Sequence, residues 1–276
     1  MSRAVLALLF AVAGSMLALL YRDALFAALA GWAGVSDATG VTLDACYRLS
    51  IYGAILLLAL LGFALFRIVP RAGGGAAWRA IALGTGVGAV AVALGAAWMA
   101  GVATAAGPVA PSGLGLLATG TGLIAVQAVA EELMFRGLLQ PILIRAWNAG
   151  IGIAITALGF AAVHLVGGWR DPVSLVNVCL AGVWFGVLAW RTKGVAAPML
   201  AHFGYNWAEE MLFAAAPNPG RGAFGSIFDV DLVGPAAWGG SVEGLNASLA
   251  LSFVLILLIV PLAVRRARPA VPAGAV

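Results

Sequence analysis

The sequence has few charged residues and only two cysteines, and both shortages limit the kind of protein it encodes. Charged residues make up 9% of the 276 positions, whereas 63% are apolar and the mean hydropathy is +1.05. A soluble domain carries about 25% charged residues, so this composition excludes a soluble globular fold. Cys46 and Cys179 do not supply a disulfide framework or a cysteine metal site. The composition therefore predicts an all-α, polytopic membrane protein.

Hydrophobic runs long enough to cross a membrane recur along the whole chain. Eight spans are predicted, at residues 4–20, 49–66, 80–103, 114–142, 149–167, 173–190, 195–215 and 247–264. The first is interpreted as a retained span, because charged residues interrupt it before any cleavage-like site of a signal peptide. Residues 24–35 are too short to cross and predict an interfacial helix. Pro141 is expected to end or kink the fourth span.

Basic residues are concentrated on one side of these eight predicted spans. That side includes both termini and carries no acid, and its basic residues are Arg3, Arg67, Arg71, Arg79, Arg145, Arg191, Lys193, Arg265, Arg266 and Arg268. The opposite side holds four arginines and seven acids. Because basic loops mark the cytoplasmic face, both termini are predicted to be cytoplasmic. The net charge of +4 then reflects topology, and no nucleic-acid partner is expected.

The chain is interpreted as one membrane domain with four consecutive parts. Residues 1–113 hold the N-terminal spans, 114–215 a core with polar motifs, 216–246 an extracytoplasmic loop, and 247–276 the last span with a basic cytoplasmic tail. The third span carries glycines that permit close helix packing: Gly84, Gly86, Gly88 and Gly95. A composition rich in alanine, glycine and arginine, with one lysine, is typical of a GC-rich bacterial genome. The expected location is therefore a bacterial cytoplasmic membrane.

The most unusual stretch is residues 127–140, where charges lie inside an apolar run. Glu131 and Glu132 are adjacent, and Arg136 follows. A charge at bilayer depth costs several kcal/mol, so three such residues together indicate a specific role. In a helix Glu132 and Arg136 share a face and neutralise each other, whereas Glu131 points about 100° away. Glu132 is then held in an ion pair, whereas Glu131 is free to face a cavity.

Both histidines of the chain lie in other predicted spans, and each has a partner one helical turn away. Phe160 precedes His164 in the fifth span, and His202 precedes Asn206 in the seventh. Buried polar groups need partners, so we expect these clusters to meet Glu131 in one cavity between three helices. Intramembrane ionisable residues are functional candidates by default. Phe160 is expected to form a wall of this cavity.

Three motifs in this order resemble the CPBP family of CAAX prenyl endopeptidases and Abi-type immunity proteins. They are Glu-Glu-x-x-x-Arg at 131–136, Phe-x-x-x-His at 160–164 and His-x-x-x-Asn at 202–206. All three are complete, and the resemblance covers about residues 115–210. It implies an eight-helix intramembrane endopeptidase. It also implies a protein or peptide substrate in the bilayer, and a bacterial host favours a membrane-anchored or C-terminal-tail substrate over a prenylated one.

The resemblance also implies a role for each motif residue. Glu131 is implied as the general base that works with His164 on a water, while His202 and Asn206 stabilise the tetrahedral oxyanion. Glu132, Arg136 and Phe160 are implied as supporting residues. The alternative function is a non-catalytic binding or immunity protein with the same polar cavity. A proton- or ion-coupled carrier is disfavoured, because the sequence shows no clear internal repeat.

Two further questions concern a metal and a second pair of acids. Two histidines and a glutamate also fit a three-ligand zinc site, but His-Glu-x-x-His is absent and the family is regarded as glutamate-type, so no metal is expected. Glu209 and Glu210 are expected to be solvated at the outer interface. The alternative is that Glu209, on the His202 face, extends the polar cavity. The sequence gives no prediction of oligomeric state.

Overall fold

The structure is a computed structural model that describes residues 2–32, 34–35, 40–105 and 113–264. Its helices are α1 (Arg3–Leu20), α2 (Arg22–Trp32), α3 (Gly40–Leu65), α4 (Ala76–Met99), α5 (Leu114–Glu132), α6 (Gln140–Ala146), α7 (Ala149–Gly167), α8 (Pro172–Thr192), α9 (Ala196–Trp207) and α10 (Leu249–Val264). The predicted basic tail, with Arg265, Arg266 and Arg268, lies outside the described residues. The helical class predicted from composition is confirmed.

Among the described residues, six helical segments are long and apolar enough to cross a membrane, which makes the chain a multi-pass membrane protein. They are Arg3–Leu20, Gly40–Leu65, Ala76–Met99, Leu114–Ala146, Ala149–Gly167 and Pro172–Thr192. The other two predicted spans are helical but shorter, since α9 has 12 residues and α10 has 16. α9 continues into a π-helical turn, Ala208–Leu212. The short helix predicted between the first two spans is present as α2.

The fourth predicted span is one continuous helical segment with a π-helical middle. α5 passes into the π-helical segment Leu133–Leu139, which leads directly into α6. Pro141 lies in the first turn of α6. A proline cannot donate to the carbonyl one turn earlier, and its ring clashes with that carbonyl in a regular α-helix. The wider π-helical turn before Pro141 accommodates both effects, so the span does not end at Pro141. A π-helical turn is itself one of the recognised causes of a helix kink.

The helices α4 and α9 pack backbone against backbone at two glycines. A Cβ on Gly86 would lie 2.2 Å from the carbonyl oxygen of Ala201, and one on Gly204 would lie 2.7 Å from that of Leu83. The close packing predicted for the third span is therefore found at Gly86. The other glycines named for it have no described atom within 4 Å of that position: Gly84, Gly88 and Gly95. α4 thereby fixes the position of α9.

We expect Gly86→Ala to destabilise the protein, because the added methyl group overlaps the backbone of α9. Overpacking a well-packed interior costs about 1–3 kcal/mol of unfolding free energy. Gly84→Ala is the matched control, since it lies on the same helix in open space and replaces a residue that weakens helices. Thermal unfolding of the detergent-purified protein, followed by tryptophan fluorescence, should show a lower midpoint for Gly86→Ala alone. Equal midpoints for the two variants would contradict this packing.

The loop predicted at 216–246 is a folded cap rather than an open connection. Its strand β2 (Val230–Leu232) pairs antiparallel with β1 (Ala103–Ala105), which follows α4. The side chain of Asn218 accepts from the backbone N–H of Leu232 at 2.8 Å and donates to three backbone carbonyls of the loop. This short sheet is a departure from the predicted all-α fold, and it arises because two connections at one end of the bundle meet.

Candidate active site

Both histidine motifs line one cavity of about 310 Å³ between α3, α7, α8 and α9. Its polar lining includes Gln127, His164, Asn177, His202, Tyr205, Asn206 and Asn246, and its charged lining is Asp44, Arg48, Glu209 and Glu210. A smaller cavity of about 170 Å³ is lined by Glu131 and shares Phe160 and His164 with the first. The four residues predicted to be catalytic therefore surround two adjoining cavities, with His164 on both.

Glu131 is in the last turn of α5 and is buried, with 5% of its surface exposed. Its Oε2 has no hydrogen-bond partner within the described parts of the chain and lies 3.9 Å from Nε2 of His202. A buried carboxylate oxygen is costly unless a donor reaches it. Glu131 also lines the smaller cavity and its side chain is 7% exposed, so its carboxylate group can meet a water or a substrate group there.

The neighbouring carboxylate, Glu132, is in a different environment. It is fully buried, and its Oε1 accepts from Nη1 of Arg136 at 2.8 Å and lies 3.0 Å from Nδ1 of His202. The ion pair of Glu132 with Arg136 is the one that the four-residue spacing predicts. Arg136 also donates through Nη2 to the carbonyl of Gly182 at 3.1 Å. The contact between Glu132 and His202 was not foreseen, because only the fold brings these distant residues together.

His202 is held in orientation by a hydrogen bond and by a stacked ring. Its imidazole stacks on Phe185, with centroids 4.9 Å apart and planes 17° apart. Because a carboxylate paired with arginine only accepts, Nδ1 carries the proton that faces Glu132. Nε2 then faces Glu131. For Nε2 to donate to an oxyanion as well, the ring must carry protons on both nitrogens.

His164, like His202, has Nδ1 engaged in a contact and Nε2 free. Its Nδ1 lies 2.9 Å from the carbonyl oxygen of Phe160, one turn earlier on α7. A carbonyl only accepts, so Nδ1 carries the proton and Nε2 of the neutral ring has a free lone pair. The ring of Phe160 lies 4.5 Å from that of His164 and 6.2 Å from that of His202. Phe160 is thus the wall between the two imidazoles.

The expectation that Glu209 and Glu210 are solvated is wrong. Glu209 is 6% exposed, and its Oε1 accepts from Nδ2 of Asn246 at 2.6 Å. Oε2 of Glu210 accepts from Arg48 at 2.7 Å, and Arg48 also pairs with Asp44 at 2.9 Å. Both glutamates line the larger cavity. The folded cap covers this end of α9, so the end of the predicted span is not in bulk water.

A polar network that sequence reasoning missed closes the cavity on the α10 side. The hydroxyl of Tyr205 donates to Oδ1 of Asn246 at 3.0 Å. Nδ2 of Asn177 donates to the backbone carbonyls of Asn246 and Ser248, each at 2.9 Å. Asn177 was a weak signal, as a lone polar residue in a predicted span, whereas Asn246 falls in a loop. Their pairing depends on the cap folding back over α8 and α9.

The site does not form an evident metal centre. Within residues 2–32, 34–35, 40–105 and 113–264, no group of three His, Cys, Asp or Glu side chains is arranged to hold an ion. Nδ1 of His202 faces the carboxylate of Glu132, and the charge of that carboxylate is already neutralised by Arg136. The arrangement can orient imidazoles and carboxylates toward a water and a carbonyl group.

Comparison with known proteins finds one family. Residues 113–208 match the family model described as type II CAAX prenyl endopeptidase, Rce1-like. The matched region runs from the start of α5 to the end of α9, and it contains all three motifs and both histidines. Neither the curated proteins nor the solved structures gave a significant match.

Proposed function

The chain belongs to the CPBP/CAAX protease family through residues 113–208, and on that basis we propose that it is an intramembrane endopeptidase. The substrate is a membrane-associated protein or a C-terminal tail. The observation that carries the proposal is the buried Oε2 of Glu131, which has no partner among the described residues and lies beside His202. A binding protein does not require a buried base next to an orienting imidazole.

The proposed reaction begins with a water bound at the carboxylate of Glu131. Glu131 accepts a proton as the water oxygen attacks the carbonyl carbon, and the free Nε2 of His164 orients that water. Negative charge develops on the carbonyl oxygen, where doubly protonated His202 and the amide of Asn206 donate hydrogen bonds. The C–N bond then breaks, and the proton on Glu131 passes to the leaving amine. Atoms balance with one water consumed for each peptide bond.

Glu132 and Arg136 have a positioning role in this proposal. Arg136 holds Glu132, and Glu132 holds Nδ1 of His202, so one line of contacts sets the orientation of the imidazole. Donors fixed before the reaction stabilise developing charge without reorganisation, which is how such sites gain rate. The aromatic faces of Phe160 and Phe185 keep the surroundings apolar.

We further propose that all eight predicted spans cross a bacterial cytoplasmic membrane with both termini in the cytoplasm. Arg191, at the end of α8, donates to the carbonyls of Leu262 and Ala263 at 2.9 and 3.0 Å. The end of α10 therefore lies beside a basic end of the bundle, as the distribution of basic residues requires. α10 is about 24 Å long at 1.5 Å per residue, a little less than a typical hydrocarbon core.

We expect Asn206→Ala to reduce hydrolysis by about 10²–10³-fold, the usual effect of losing one oxyanion donor. Host cells that carry this variant should accumulate an uncut membrane-associated precursor, as deletion of the gene should. Quantitative proteomics of the membrane fraction measures this, and immunoblotting shows whether the variant is present at normal levels. If deletion has an effect but no protein accumulates uncut in either strain, the binding or immunity function replaces the endopeptidase.

We propose that hydrolysis requires no metal ion. The purified protein is expected to keep its full rate in EDTA or in a zinc-selective chelator, because the proton acceptor and the oxyanion donors are side chains. The measurement is the initial rate of precursor cleavage before and after chelation, with a zinc-dependent protease treated in parallel to show that the chelator works. If chelation abolishes activity and added zinc restores it, the metal-free mechanism is wrong.

A further inference from the structure

A third cavity, of about 320 Å³, lies at the basic end of the bundle. Its charged lining consists of Arg71, Arg136, Arg145 and Lys193, with no acidic residue among the described ones. In the described part of the chain it shares no lining residue with the two cavities of the candidate active site. Arg136 is paired with Glu132, and the other three cations are exposed. Three exposed cations without an acid around one concave surface favour an anionic ligand.

Two hydrogen-bonded loops hold the rim of this cavity in place. The backbone N–H of Val195 donates to the carbonyl of Arg71 at 2.9 Å, and that of Gly74 donates to the carbonyl of Thr192 at 2.9 Å. Lys193, which caps α8, lies within the second loop. The side chains of Arg71 and Lys193 therefore extend from a backbone that these hydrogen bonds hold in place. A fixed spacing of cations is what distinguishes a binding site from a diffuse basic surface.

Arg136 contributes to the floor of the cavity, but its side chain is fully buried. Its Nη1 and Nη2 donate to Glu132 and to the carbonyl of Gly182. The charge of Arg136 is therefore compensated inside the protein. The exposed cations Arg71, Arg145 and Lys193 are the ones available to a ligand.

We propose that this cavity binds a phosphate-bearing anion, either the headgroup of an anionic phospholipid or a free phosphate group. Arginine forks match phosphate oxygens, and lysine supplies a further point charge. Basic pockets between membrane helices bind anionic headgroups in this way. Exposed apolar side chains border the cavity, with Trp190 43% exposed and Val69 85% exposed, and they can contact acyl chains. This site goes beyond the proposed function, since it lies away from the peptide-cleaving residues.

The test is a titration of the detergent-purified full chain with phosphatidylglycerol, in which native mass spectrometry counts bound lipid. The double variant Arg71→Gln, Lys193→Gln is expected to bind about 30-fold more weakly, from the usual contribution of two basic residues near an anionic headgroup. The matched control Arg67→Gln, Arg79→Gln removes the same charge at the same end, outside the cavity lining. It should bind like wild type. Equal weakening in both variants, or none in either, would overturn the proposal.

Two further measurements distinguish a lipid headgroup from free phosphate and show whether each variant is folded. Inorganic phosphate and phosphatidylcholine are titrated in parallel arms. Displacement of phosphatidylglycerol by inorganic phosphate at millimolar levels identifies a free phosphate ligand, whereas binding of the anionic lipid alone identifies a headgroup. If neither phosphatidylglycerol nor inorganic phosphate binds, the proposed site is wrong. Arg145→Gln, an exposed single change on α6, should also weaken binding. The thermal unfolding midpoint of each variant shows whether lost binding reflects lost structure.

Discussion

Replacing Glu131 with glutamine is expected to abolish peptide-bond hydrolysis while leaving the helical bundle folded. An amide has nearly the shape of a carboxylate but cannot take a proton from the attacking water. General-base catalysis contributes about 10²–10⁴-fold, so the rate should fall by at least that range. The fold should persist because Oε2 of Glu131 makes no hydrogen bond to the described residues. The buried pair of Glu132 and Arg136 stays intact in this variant.

The measurement for Glu131→Gln is the initial rate of precursor cleavage by purified, reconstituted protein. Glu210→Gln is the matched control, because it removes an acid that lines the adjoining cavity and that the mechanism does not use. Its rate should stay close to that of wild type. Thermal midpoints for both variants report on folding. A Glu131→Gln variant that retains most of its rate would show that another group accepts the proton.

Replacing Arg136 with leucine is expected to cause the largest loss of stability in the chain. The change leaves the fully buried Glu132 without its cation, and breaking a buried ion pair costs about 3–5 kcal/mol of unfolding free energy. It also removes the hydrogen bond to the carbonyl of Gly182. His202 loses its orientation at the same time, so hydrolysis should fall together with stability.

The double variant Glu132→Gln, Arg136→Leu separates charge from packing. With the buried charge removed on both sides, its stability should recover most of the loss seen in Arg136→Leu. Thermal unfolding of wild type, Glu132→Gln, Arg136→Leu and the double variant in the same detergent gives the coupling between the two changes. A double variant that is no more stable than Arg136→Leu would show that the unpaired carboxylate is not the source of the damage.

The helices were predictable because apolar length is a local property of the sequence. The run at 149–167 coincides with α7, and that at 173–190 differs from α8 by a residue or two at each end. The π-helical segment at Leu133–Leu139 was not predictable from hydropathy. The same is true of the short α9, whose predicted span at 195–215 also includes a π-helical turn and the three residues before the cap.

The site was predictable where its geometry follows from a single helix. A spacing of four residues placed Glu132 beside Arg136 and Phe160 beside His164. Contacts between helices were not predictable, and the hydrogen bond from Asn246 to Glu209 is the main example. The expectation for Glu209 failed because it equated the end of a hydrophobic run with exposure to water. The catalytic roles assigned to these residues remain predictions.

The glycine contacts between α4 and α9 limit the route by which a substrate within the bilayer reaches the cavity. Two helices joined through Gly86 and Gly204 cannot part without exposing backbone to lipid. The cavity of about 310 Å³ is bordered elsewhere by side chains, with Tyr47 and Tyr52 on α3 and Trp169 after α7. We therefore expect a substrate to enter by a route that leaves the contact between α4 and α9 closed.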